Sequence, residues 1–172
     1  MKALLIVDMI HEFVDGKYGS EGAKKIVPKI KRAAEKFREE GIVIYLCDSH
    51  KKGDSELALW GEHAMEGTWG AEIVEELAPA DKDLVIKKRT YDGFLSTPLE
   101  KILREKGIKE VFICGVATDI CVKHTAFGAF ARGFDVHILQ DCCSGTSEEE
   151  HRRALDYMRR IYGAKLVECD EV

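Results

Sequence analysis

The sequence predicts an α/β fold: a single domain over residues 1–172, with a mostly parallel sheet of five to six strands and helices on both faces. Three observations carry this. Short apolar runs alternate with longer amphipathic ones, the rhythm of strand–helix–strand units. The short runs are apolar throughout rather than alternating, as strands covered on both faces should be. Chemically capable residues recur just past those runs, where open α/β sheets place their ligand crevice.

KALLIV at the start reads as a buried strand. From Glu21 to Glu40, Ile26, Ile30, Ala33 and Phe37 recur at helical spacing among Lys, Arg and Glu, with Ser20 placed to cap the helix and Gly41 to end it. IVIYLC is the second strand. Asp48 to Thr68 breaks the rhythm; it is polar, contains Gly53, Gly61 and Gly67, and reads as a long functional loop. A short helix is expected over Ala71 to Leu77, then a strand in DLVIKK. A helix over Thr97 to Lys106 follows, with Pro98 in its first turn. EVFICG is the fourth strand and Asp119 to Arg132 an Ala-rich helix. FDVHIL, a helix from Glu148 to Ile161, and a last strand, AKLVE, complete the chain.

A formal net charge of -5 with 33% charged residues argues against nucleic-acid binding. The opening MKALLIVDM is too short and too soon charged for a signal peptide, and no apolar run approaches a membrane span, so a cytoplasmic location is expected. Six cysteines without a secretion signal do not suggest a disulfide framework. Cys47 and Cys114 read as small buried hydrophobes, and Cys169 lies in a polar tail.

The strand-end rule selects Asp8, Asp48, His50, a basic residue of KKR, Cys121 and Asp141. A carboxylate after ALLIV is costly to bury unless paired. Among Lys87, Lys88 and Arg89, strand alternation lets only one of the two lysines face the crevice. Cys121 stands in the first turns of the fourth crossover helix, in GVATDICV, where a helix start favours a thiolate. A carboxylate beside that thiol would serve as its base, a lysine would hold both charged, and N–H groups near Ala117 and Cys121 would form an oxyanion hole. That set is chemically complete for acyl transfer to water. His124, one turn from Cys121, is a rival base but points from the same helix as the nucleophile.

A second constellation adjoins the first. Asp48 and His50 are two apart in an extended stretch and so point the same way. With His63 and Glu56 they form a donor set suited to zinc, iron or manganese. Trp60 and Trp69 flank His63 and read either as packing or as an aromatic wall for a planar substrate; Phe13 is a further wall candidate, and His11 is expected near the same pocket. His137 and His151 read as structural or solvated.

These segments resemble the isochorismatase-like cysteine hydrolases, and within them the nicotinamidase (pyrazinamidase) group, over nearly the whole chain. LLIVDM with Phe13 is similar to the family's opening strand, GVATDICV to its nucleophile signature, and KKRTYDGF to its lysine segment, in which Tyr91 and Phe94 select Lys88. The resemblance implies a three-layer α/β/α isochorismatase-like hydrolase fold with Asp8, Lys88 and Cys121 as catalytic residues. It also implies a cis peptide before Ala117 that would aim its N–H into the oxyanion hole. DSH and WGEHAMEGTWG resemble the metal-bearing loops, implying Asp48, His50 and His63, with Glu56, as ligands of a divalent metal, zinc first. Phe13, Trp60 and Tyr91 would line the substrate pocket, and a homo-oligomer is implied. The chain departs from the pattern at Ile10, Ala64, Asp92 (where Ser is usual) and Gly128 (where Asp is usual).

The expected activity is hydrolysis of a small planar carboxamide through a Cys121 thioester, with nicotinamide giving nicotinate and ammonia as the sharpest expectation. An N-carbamoyl compound or another small amide is the alternative with the same three residues. Isochorismatase-type vinyl-ether hydrolysis and a non-catalytic binding domain are the remaining readings.

Overall fold

The computed structural model describes all 172 residues, Met1–Val172. Six strands, β1 (Lys2–Val7), β2 (Gly41–Asp48), β3 (Leu84–Lys88), β4 (Glu110–Val116), β5 (Asp135–Ser144) and β6 (Lys165–Val167), form one sheet in the order β3-β2-β1-β4-β5-β6. Every pairing is parallel. Helices cover both faces, as the apolar strands require. Helix α2 (Glu21–Glu40) packs across β1, β2, β4 and β5, whereas α5 (Lys123–Ala131) and α6 (Glu148–Ile161) pack together and against β5. The sheet is buried at its centre, where Leu4, Leu5, Ile6 and Val7 of β1 have no solvent exposure.

Local signals act as their chemistry dictates. The Ser20 hydroxyl accepts the Ala23 N–H at 3.0 Å and caps α2, and Ser147 caps α6 in the same way at Glu150. Gly115 has a φ of 113° and lies so close to the Val7 carbonyl that a Cβ there would collide with β1. This glycine lets β4, which leads into the turn carrying Cys121, run tight against the strand that precedes Asp8.

Several elements differ from expectation. Ala71–Leu77 forms no helix; two 3-10 turns, Trp69–Ala71 and Glu75–Leu77, stand there because the segment is too short to nucleate an α-helix. The long loop contains a single helical turn, α3 (Leu57–Trp60), and another, α1 (His11–Val14), follows β1. Helix α4 is Leu99–Glu105, with Pro98 just outside it. The cysteine segment begins as a π-helical turn, Thr118–Val122, before α5. β5 runs on past Asp141 to Ser144, with a register shift opposite Cys114. Cys169 is fully buried and not part of a solvated tail; its N–H donates to Asp141 and its thiol lies 3.3 Å from the Lys29 carbonyl.

Between β1 and β4 the chain switches from building the sheet leftward to building it rightward. This is the topological switch point at whose carboxyl edge such sheets hold ligands.

Candidate active site

Four strand ends converge at that edge. Asp8 follows β1 with a φ of 51°, a left-handed conformation uncommon for a residue with a side chain. Asp48 ends β2, Lys88 ends β3, and Cys121 lies in the turn after β4. All four are buried. The Lys88 ammonium is at the centre, 2.9 Å from Asp8 Oδ2, 2.5 Å from Asp48 Oδ1, 3.0 Å from the Thr90 carbonyl and 3.6 Å from Cys121 Sγ. The Asp48 N–H donates to Asp8 Oδ1 at 2.8 Å, which fixes that carboxylate from the other side. The Val116–Ala117 peptide is cis, and Ala117 and Cys121 line the same cavity as Asp8.

Burial is the largest influence on Asp8 and, with the charge of Asp48, raises it to about 6 against the pull of Lys88. Asp8 is therefore ionised at neutral pH but close to its titration. Lys88 is held protonated well above its ordinary value because its two carboxylates outweigh its burial. Burial also dominates Cys121 and pushes its thiol well above the ordinary range, against Lys88. The helix start thus does not produce a standing thiolate; the resting group is a thiol beside an ionised carboxylate and an ammonium. His124 is turned away, with its ring against Tyr91 and Nδ1 at the Ile120 carbonyl.

Beside this group Asp48, His50, Glu56 and His63 offer one donor atom each within 4.8 Å of one another, all buried. His50 Nε2 lies 3.4 Å from Asp48 Oδ2 and 3.3 Å from Glu56 Oε2, and His63 Nε2 is 3.5 Å from Glu56 Oε2. The outer nitrogens are engaged: His50 Nδ1 is 3.0 Å from Asp54 Oδ2, and His63 Nδ1 is 2.8 Å from the Gly61 carbonyl. Both rings thus present Nε2 inward, the arrangement by which outer hydrogen bonds orient histidine ligands. His50 Nε2 and Glu56 Oε1 have no hydrogen-bond partner despite full burial. Although burial lowers it, His50 is raised to about 10 by Asp48, Glu56 and Asp54, while Glu56, which burial raises, is lowered to about 2 by the two histidines. A cluster so rich in carboxylates demands positive charge at its centre. A divalent cation fits this donor set, and protons answer the demand in its absence.

The cavity over both groups has a volume of about 380 Å³, small for a ligand site. Phe13, Tyr18, Trp60 and Tyr91 form its aromatic side, with Trp60 Nε1 donating to the Tyr91 hydroxyl at 2.9 Å. Trp69 and His11 do not reach it. They stack on each other with ring centres 4.1 Å apart, and His11 is tied to Asp15 and Glu75. His151 is half-buried and structural, hydrogen-bonded at 2.7 Å to Thr118 in the turn that carries Cys121.

Sequence reasoning missed Asp54, the pairing of Arg89 with it, and the outer wall formed by Lys17, Tyr18, Ser20, Ser144 and Thr146. Asp54 takes the guanidinium of Arg89 and orients His50; a carboxylate four residues after a ligand-like histidine was its signal. The outer wall joins segments more than a hundred residues apart and left no local trace.

The sequence matches the isochorismatase domain over residues 2–171. The chain belongs to the isochorismatase family. Among solved members, N-carbamoylsarcosine amidase from Thermoplasma acidophilum is similar at 37% identity over 99% of this chain and 98% of that one, with a TM-score of 0.94. The pyrazinamidase of Pyrococcus horikoshii in complex with zinc is similar at 34% identity over 97% of this chain and 98% of that one, with a TM-score of 0.90. Among curated proteins, Nicotinamidase 3 of Arabidopsis thaliana is 30% identical over 99% of this chain and 86% of its own length.

Proposed function

We propose that this member of the isochorismatase family is a cysteine amidohydrolase that cleaves the C–N bond of a small amide, with N-carbamoyl compounds as the leading substrate class. The observation that carries the reaction is the position of Lys88 Nζ, between Asp8 Oδ2 at 2.9 Å and Cys121 Sγ at 3.6 Å, behind the cavity that Asp8 and Cys121 line. The likeness to the Thermoplasma N-carbamoylsarcosine amidase supports the substrate class.

In this reading Asp8 takes the Cys121 proton as sulfur attacks the carbonyl carbon. A thiol pushed up by burial does not ionise alone, so proton removal and attack go together. Lys88 keeps its proton and offsets the charge gathered on Asp8 and sulfur. The N–H groups of Ala117 and Cys121 are assigned to the carbonyl oxygen as it becomes an oxyanion. Asp8 then hands its proton to the leaving nitrogen, ammonia departs, and an acyl-cysteine remains. Water, deprotonated by Asp8, attacks that thioester and the proton returns to sulfur. For an N-carbamoyl amine the released acid is a carbamate, which loses carbon dioxide to give the amine.

Asp48, His50, Glu56 and His63 would hold the divalent metal, zinc first. When bound, it would supply positive charge for an electron-pair donor on the substrate. Here the chain's own residues position the ligand. Asp54 and the Gly61 carbonyl fix the histidine rings, and Phe13 and Trp60 flank them on the aromatic side of the cavity. This cluster next to an aromatic wall is the specific observation that favours a second reading, a ring carboxamide such as nicotinamide.

The deciding experiment is ammonia release from N-carbamoylsarcosine, nicotinamide and pyrazinamide, with the metal content of the enzyme measured and Cys121→Ala as control. Turnover of a ureido compound or a ring amide that disappears in the control is the expected result. Ammonia release that survives Cys121→Ala would overturn the mechanism.

A further inference from the structure

The turn that carries Cys121 has little of its own to hold it. It is one π-helical turn, Thr118–Val122, and no side chain caps its start. At that start the N–H groups of Ile120 and Val122 donate to the same Ala117 carbonyl, at 3.0 and 3.1 Å. An isolated turn of this kind gains few bonds for the residues it fixes, so its shape is set from outside. The shape matters here. The N–H groups assigned to the oxyanion are those of Ala117 and Cys121, and Thr118, Asp119 and Ile120 are the residues between them. The spacing of the two donors is therefore the conformation of those three residues.

Two of the three are tied to one neighbouring segment. Val116 near the end of β4 pairs with Ser144 at the end of β5, so the nucleophile turn and the chain leading into α6 leave the sheet side by side. The Thr118 side chain, with no solvent exposure, shares a hydrogen bond with His151 Nδ1 at 2.7 Å. Asp119 accepts the N–H of Thr146 at 2.9 Å and its hydroxyl at 2.6 Å. Gly145 passes between these ties, where a Cβ would stand 2.9 Å from the His151 backbone nitrogen and 3.0 Å from Asp119 Oδ1. The Asp119 tie is open to water because Thr146 is exposed, whereas Thr118 is sealed from it. A hydrogen bond shielded from water is the firmer constraint. Its anchor is firm as well. His151 stands on α6, a 14-residue helix capped by Ser147 and seated on the core through Ala154, Leu155 and Met158.

We propose that His151 is a positioning residue for the hydrolysis: through Thr118 it fixes the nucleophile turn, so that the N–H groups of Ala117 and Cys121 keep the spacing an oxyanion requires. This rests on the amidohydrolase reading above. Neither His151 nor Thr118 lines the cavity, so neither touches substrate, and Asp8 remains the base. The structural bond of His151 thus acts on the rate through backbone geometry.

The test deletes and conserves each side of the bond. Thr118→Val removes the hydroxyl and His151→Ala the ring. Thr118→Ser keeps a hydroxyl, and His151→Asn keeps a partner, because a carboxamide offers both a donor and an acceptor. Ammonia release from whichever of N-carbamoylsarcosine, nicotinamide and pyrazinamide the wild type hydrolyses gives kcat and KM, and thermal unfolding checks that each variant is folded in the assay. Thr118→Val and His151→Ala are each expected to lower kcat by about 10- to 100-fold with KM within about twofold, the scale of a displaced reacting group or a weakened oxyanion donor. Thr118→Ser and His151→Asn should recover most of the loss. The double variant Thr118→Val/His151→Ala should be no slower than the slower single one, because both delete the same bond. Hydrogen exchange of the peptide spanning residues 115–123, read by mass spectrometry, needs no substrate. It should quicken by about tenfold in the two deleting variants and return toward wild type in the conserving ones. Undiminished kcat in His151→Ala, a loss confined to KM, no recovery in His151→Asn, or fully additive losses in the double variant would each overturn the proposal and leave the Cys121 mechanism standing. If the wild type hydrolyses none of the three amides, the reaction reading falls. The exchange arm then decides whether the bond fixes the turn, and unchanged exchange in both deleting variants refutes it.

Discussion

Asp48 and Lys88 are joined at 2.5 Å, and the same aspartate turns its other oxygen to His50 Nε2 at 3.4 Å. One carboxylate therefore belongs to both constellations: it holds the ammonium beside Cys121 and closes the metal-type cluster. Asp48→Asn and His63→Ala should separate the two roles. His63→Ala is expected to lower metal affinity by at least about 10–100-fold, the range for losing even an indirect partner of a metal site. Asp48→Asn should do the same and also depress hydrolysis with metal in excess, because Lys88 loses one of its two anions. Metal content by mass spectrometry and rates in saturating metal check both.

Removing Lys88 leaves Asp8 and Asp48 buried without their cation. Lys88→Met is expected to cost about 3–5 kcal/mol of stability, the range for breaking a buried pair from one side. A denaturant midpoint equal to wild type would contradict the central position given to this ammonium.

The acid limb of activity should follow Asp8. A base must be ionised to accept the thiol proton, and burial with Asp48 places this carboxyl at about 6. The rate is therefore expected to be full above that value and to fall about tenfold per pH unit below it, as the carboxylate is protonated. A kcat/KM profile checks the limb. Iodoacetamide labelling located by peptide mapping should single out Cys121 among the six cysteines, since only its thiol borders the main cavity, and Asp8→Asn should slow that labelling.

Asp92 and Gly128 depend on each other. A Cβ on Gly128 would stand 2.5 Å from Asp92 Oδ1 and 2.8 Å from the Phe94 ring. The carboxylate of Asp92, bound to the Phe94 N–H at 2.8 Å, fills the space that a side chain at 128 would need. Gly128→Ala is expected to cost about 1–3 kcal/mol by overpacking. Asp92→Ser should recover part of that loss, so a double-mutant cycle on thermal unfolding should show coupling above about 0.5 kcal/mol. Additive effects would exclude the exchange.

Much of the site was legible because parallel α/β sheets gather their strand ends at one edge. Asp8 after ALLIV, a basic residue of KKR after DLVI and Cys121 after EVFICG stand out locally, the likeness of KKRTYDGF to the family's lysine segment picks Lys88 among the three, and the fold brings Asp8, Lys88 and Cys121 together. Asp48 and His50 could be read for the same reason, whereas Glu56 and His63, in the loop after β2, were read from their residue types and from the likeness of WGEH to the family's metal-bearing loop. Less was legible where one residue's role depends on another distant in sequence. His11 and Trp69 carried the composition of a pocket wall, yet they stack on each other outside it. Cys121 stood at a helix start, yet its burial outweighs that start.

By itself the sequence determined the alternation of strands and helices, the caps at Ser20 and Gly41, and the identity of the groups at the sheet's carboxyl edge. These follow from side-chain periodicity and local backbone chemistry, which act within a few residues. Only the tertiary structure decided that Asp48 is shared between Lys88 and His50, that Asp54 orients His50 while holding Arg89, and that Lys17 and Ser144 face one cavity. Those relationships depend on register across crossovers and on depth of burial. Both are properties of the assembled sheet that no short window of the chain contains.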